Sequence, residues 1–168
     1  MWAHTIQDLI SADGIIENLL RVTPERELLY VTSQVKADPT YTFEHLACFL
    51  PGLLALGAHT LPISLLPPEK AEYHKWAAEG LAYTCYLTYA DSRSGLGPDS
   101  VKMNDAGRWM DHVRAWEKNK KLRTIPPGLK ERSPVRKTDR NTRDYLVTQP
   151  TYYLRPEVST ALNFMTDY

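Results

Sequence analysis

The sequence is short of most features that assign a function directly. It has two cysteines in 168 residues, too few for a disulfide scaffold, and no C-x2-C pair, which excludes a small zinc module. It has no net charge, because 20 Lys and Arg balance 20 Asp and Glu. A nucleic-acid binder steered by its whole surface is therefore excluded. It lacks any apolar run of about 18 residues, the minimum for a membrane-spanning helix. The start, MWAHTIQDLISADG, carries acids and no basic residues and does not read as a secretory signal peptide. The glycines of Gly95-Leu96-Gly97 have no strand before them and no helix after them, so they do not form a phosphate-binding fingerprint. No repeat of fixed period is visible. What is present is 43% hydrophobic and 10% aromatic residues, enough for one core of ordinary size.

The apolar residues fall mainly at helical spacing. Ile6, Leu9, Ile10, Ile16, Leu19 and Leu20 make one stripe over residues 2–20, with Asp13-Gly14 as a candidate kink and Pro24 as a stop. Leu28 to Thr32 is β-branched and aromatic and reads as a short strand. His45 to Leu56 (HLACFLPGLLAL) is apolar nearly all round, which predicts burial on most sides. Pro51 marks either the start of a helix or a kink within a longer one. Pro67-Pro68-Glu69 opens a helix expected to run to about Tyr89, with Tyr73, Trp76, Ala77, Leu81, Thr84, Cys85 and Thr88 on one face. A last helix is expected over residues 152–168, still in mid-pattern where the sequence stops, which reads as a fragment of something longer. Helices with one short strand predict an all-α fold.

Residues 114–143 differ from the rest. They hold 11 Lys or Arg and three acids; at net +8 they leave the other 138 residues at net −8. With Pro126, Pro127 and Pro134 and few large apolar residues, they read as a basic loop or insertion in solvent. A nucleic-acid patch is the sharper alternative, but it would need interleaved aromatics, and only Trp116 is near.

Three stretches, HLACFLPGLLALGA (45–58), LAYTCYLTYADSRSGLGPDSV (81–101) and YYLRPEV (152–158), resemble in order the class I α-1,2-mannosidases of glycoside hydrolase family 47. The similarity covers most of the chain apart from the basic segment, and corresponds to a central-to-C-terminal portion of the family's catalytic domain. It implies that residues 1–168 form part of an (α/α)7 barrel of helical hairpins, with 114–143 as a loop within it. It also implies a calcium-dependent, inverting hydrolysis of terminal mannose from high-mannose N-glycans. The setting implied is the endoplasmic reticulum or Golgi lumen, membrane-anchored through a segment absent here. No nucleic-acid partner is implied.

Site residues follow from the same resemblance. An acid in a first helical turn is by itself ordinary capping, favoured by about 0.3–1 kcal/mol through the helix dipole. Glu157 also falls on the family's general base. Arg155 beside it is a surface or ion-paired arginine in isolation, and a substrate-binding one by resemblance. His45, in isolation a core or capping histidine, matches an active-site histidine that bonds sugar hydroxyls. Cys48 and Cys85 read as two buried thiols; the resemblance implies that they form a disulfide, and hence an oxidising compartment. Asp99 stands where the family's Gly-Leu-x-Pro-Glu loop has glutamate. The family's acid and its Ca2+ ligands match no segment of this chain. The alternative function is an inactive truncated product, acting at most as a glycan-binding or interaction module.

Overall fold

In a computed structural model, the structure describes residues 2–119, 125–129, 134–137, 143–154, 156 and 157, with side chains from residue 7 onward. Among the described residues there are four helices and seven short strands, in the order α1 (Trp2–Asn18), β1 (Leu20–Val22), β2 (Leu29–Val31), β3 (Gln34–Val35), β4 (Asp38–Pro39), β5 (Thr42–Glu44), α2 (Leu50–Thr60), α3 (Pro68–Ala90), β6 (Ser100–Met103), α4 (Trp109–Lys118) and β7 (Tyr145–Gln149), with a 3-10 turn at His45–Phe49. The helical content matches expectation. The strands make three small antiparallel sheets, β1-β2, β3-β4 and β5-β6-β7, where the sequence led us to expect one short strand.

The first helix runs through Gly14 without interruption and ends at Asn18, six residues before Pro24. The chain then extends at once, because Leu20 and Val22 are buried while Arg21 reaches outward. β1 pairs with β2, Leu20 opposite Val31 and Val22 opposite Leu29. α3 starts at Pro68, with Pro67 and Pro68 supplying preset backbone angles and Glu69 an acid in the first turn.

Two apolar clusters draw on successive stretches of α3. One gathers Ile16, Leu20, Leu29, Leu54, Ala77, Leu81, Trp109 and Val113 from α1, β1, β2, α2, α3 and α4. The other gathers Leu28, Tyr30, Phe43, Cys48, Cys85, Leu87, Val101 and Tyr145. Gly80 is needed where α3 crosses: a Cβ there would lie 2.9 Å from both Gly128 O and Leu29 Cδ2.

The segment 45–56 follows one of the two readings offered for Pro51. Its first half is a 3-10 turn, and the α-helix begins at Leu50 with Pro51 in its first turn. His45, Cys48, Pro51, Gly52, Leu54 and Ala55 are buried, as expected, whereas Leu46, Phe49, Leu53 (63% exposed) and Leu56 lie open along one face.

The described parts of the basic segment are not a free loop. Residues 114–118 complete α4. Pro127 O accepts the indole N–H of Trp109 at 2.8 Å. Arg143 is buried, and its guanidinium donates to the carbonyls of Asp91, Arg136 and Lys137 at 2.5–2.8 Å. Asp91, just past α3, is the hub. Its carboxylate accepts from Arg26 Nη1 (2.7 Å), the Arg136 N–H (2.6 Å) and the Tyr145 hydroxyl (2.9 Å). Burial, and then the charge of Asp91, raise the Tyr145 hydroxyl above its ordinary value.

Candidate active site

The site forms where the 3-10 turn, the C-terminal turn of α3, the 92–99 loop and the stretch after β7 meet. β5 delivers His45: its strand pairs with β6, and the His45 N–H donates to Asp99 O at 2.8 Å. The Asp99 N–H donates in turn to Gln149 O at 2.9 Å, which ties the loop to the end of β7. From there residues 151–153 have no regular secondary structure, and Leu154 turns the chain with a left-handed φ of 56°. That conformation costs a non-glycine residue about 1–2 kcal/mol. Pro156 follows, and Glu157 is the first helical residue.

Glu157 points inward and is 2% exposed; His45 is 6% exposed. Glu157 Oε2 lies 3.4 Å from His45 Nδ1 and has no hydrogen-bond partner among the described residues. A buried carboxylate oxygen in that state is costly, because its lost hydration is not replaced. A narrow hollow in front is lined by His45, Gly97, Pro98, Asp99, Thr151, Tyr152 and Tyr153.

The other face of His45 meets Tyr89, whose hydroxyl is hydrogen-bonded to Nε2. Tyr152 packs edge-on against Tyr89, with ring centroids 6.1 Å apart. Burial, then Tyr152 and Glu157, push the Tyr89 hydroxyl up to about 12. Gly97 has to be glycine here, since a Cβ would collide with the Tyr89 ring.

Cys48 and Cys85 are joined in a disulfide, with Cα atoms 6.0 Å apart. It links the His45 turn to α3 one turn before Tyr89. Arg155 lies outside the described residues, as does the helix expected beyond Glu157. The structure thus brings Glu157, His45 and Asp99 to one place. Tyr89 and Tyr152 were missed from sequence, although a signal existed: Tyr89 follows Cys85 by four residues, one helical turn on the same face.

Residues 9–165 match the family model for glycosyl hydrolase family 47. The chain belongs to that family. It is 34% identical over 101 residues to the endoplasmic reticulum mannosyl-oligosaccharide 1,2-alpha-mannosidase of Homo sapiens, covering 59% of this chain and 13% of that protein. With the enzyme of the same name from Saccharomyces cerevisiae the identity is 32% over 121 residues, 61% of this chain and 22% of the relative. An alpha-1,2-mannosidase structure from Trichoderma reesei shares the fold at TM-score 0.63 and 22% identity, over 93% of this chain and 27% of its own. The family 47 chain thus spans less than a quarter of the length of these two curated relatives.

Proposed function

We propose that this chain forms the base-bearing part of an inverting α-1,2-mannosidase acting on high-mannose N-glycans, within an (α/α)7 barrel of helical hairpins. The observation that carries the proposal is the buried Glu157 carboxylate, with Oε2 lacking a hydrogen-bond partner among the described residues and set 3.4 Å from Nδ1 of His45. Glu157 accepts a proton from a water as that water's oxygen bonds to the anomeric carbon. The bond from that carbon to the leaving sugar's oxygen breaks, and the leaving oxygen takes a proton from an acid contributed from outside this chain. His45 and Arg155 bind sugar hydroxyls and orient the ring. The endoplasmic reticulum names of the relatives, together with the disulfide, support a secretory-pathway lumen as the setting.

Family membership carries calcium with it. Among the described residues, no group of three or more His, Cys, Asp or Glu is placed to hold a metal. The described residues therefore do not fit that ion, and no step here is routed through it.

A second reading is a glycan-binding module without turnover. It is favoured by a cleft of about 530 Å³ that adjoins the hollow through Pro98 and Tyr152 and carries Ser92, Ser94 and Tyr145. The test is to incubate the full-length protein with α-1,2-linked mannobiose. Released mannose supports hydrolysis, binding without release supports the second reading, and neither overturns both.

A further inference from the structure

The imidazole of His45 is held from both sides, and the two sides make different demands on its proton. Glu157 Oε2 lies 3.4 Å from Nδ1, while the Tyr89 hydroxyl meets Nε2. A neutral imidazole has one N–H and one lone pair, and an ionised carboxylate only accepts. The set is complementary when the proton sits on Nδ1 and Nε2 accepts from tyrosine. The other tautomer would turn two lone pairs toward each other in a buried site.

We propose that Tyr89 is a positioning residue: its hydroxyl donates to Nε2 of His45 and holds the imidazole as the Nδ1–H tautomer, with Nδ1 on the Glu157 side, 3.4 Å from Oε2 and not hydrogen-bonded to it. The proposal rests on the reading of Glu157 as the base, and gives the base a fixed neighbour. A tautomer set by the partner of the far nitrogen is a general feature of working histidines.

Three observations support the donor role. The Tyr89 hydroxyl keeps its proton throughout the neutral range, because burial first, then Tyr152 and Glu157, raise it to about 12. The ring is also held in place. It lies flat over Gly97, where no Cβ fits, and Tyr152 meets it edge-on. Finally, donor and acceptor sit on two elements stapled together. Cys48 follows His45 by three residues, Cys85 precedes Tyr89 by four, and the disulfide joins them.

The test is a long-range 1H–15N correlation spectrum of the 168-residue chain with labelled histidine, recorded at pH 8. The expected result for His45 is a pyrrole-type Nδ1 and a pyridine-type Nε2, the reverse of the tautomer that free histidine side chains favour. Tyr89→Phe keeps the ring and removes the donor, and should move His45 toward the Nε2–H pattern without changing His74. Tyr86→Phe, on the exposed side of α3, should leave His45 as in the wild type. A wild-type His45 protonated on Nε2 overturns the proposal, and so does a folded Tyr89→Phe that keeps Nδ1–H. Should Tyr89→Phe fail to fold, the wild-type spectrum decides alone. The tautomer is read without turnover. Full activity in Glu157→Gln would therefore remove Glu157 as base and leave this result standing.

Discussion

Glu157 illustrates how one residue is positioned from several directions. Pro156 fixes the backbone just before it, the left-handed Leu154 turns the chain, and the hydrogen bond from Asp99 N–H to Gln149 O holds the approach. If it is the base, Glu157→Gln should lower kcat of the full-length protein by about 10²–10⁴-fold while glycan binding persists, the usual range for a lost general base. Gly97→Ala should displace the Tyr89 ring and cost activity through the site's geometry; an unchanged kcat with an intact fold would show that ring to be dispensable. Glu157, His45 and the cysteine pair were legible because they stand in dense short motifs. Tyr89 was not, since a tyrosine in a helix that holds three others nearby carries no mark of its own. Only the register between α3 and the 3-10 turn, fixed by the disulfide, shows which tyrosine meets the histidine.

At the scale of elements, the long helices were readable and the strands were not. α3 spans 23 residues and announces itself with two prolines and an acid. β5, β6 and β7 have three to five residues each, too few for an alternating pattern to stand out, and their partners lie 42 to 60 residues apart in sequence. The same distance problem hid the Asp91 hub. Arg26, Arg143 and Asp91 look like solvated charges until the fold buries them together. Asp91→Asn leaves the Arg26 charge buried with a neutral partner, and should destabilise by about 3–5 kcal/mol, read from urea midpoints at constant slope. Replacing Cys48 and Cys85 together by serine should cost about 3–4 kcal/mol on the chain-entropy model and should loosen His45 from Tyr89. An unchanged midpoint in either variant would show that the link carries no stability.

For the whole molecule, the apolar face of α2 and the acid sensitivity of the surface set its behaviour. Leu46, Phe49, Leu53 and Leu56 form an exposed stripe that favours self-association of the 168-residue chain. Leu53→Glu should reduce it, as measured by sedimentation; a chain already monomeric at high concentration would contradict this. Burial pushes Asp105 up, but its bonds from Arg21 and Tyr30 outweigh that and hold it below the ordinary carboxylate range. A carboxylate depressed in the folded state contributes stability above its unfolded value and loses it as pH falls through the folded one. The melting temperature should therefore drop below about pH 4, and Asp105→Asn should flatten that drop. The central claim is that a family 47 site uses Glu157 to activate water for inverting hydrolysis. Its most direct test is proton NMR of the mannose first released from the methyl glycoside of α-1,2-mannobiose, whose leaving sugar has a blocked anomeric centre, by the full-length protein and by Glu157→Gln. The account predicts β-mannose from the wild type and next to none from the variant. α-Mannose released first, or wild-type release by Glu157→Gln, would contradict it.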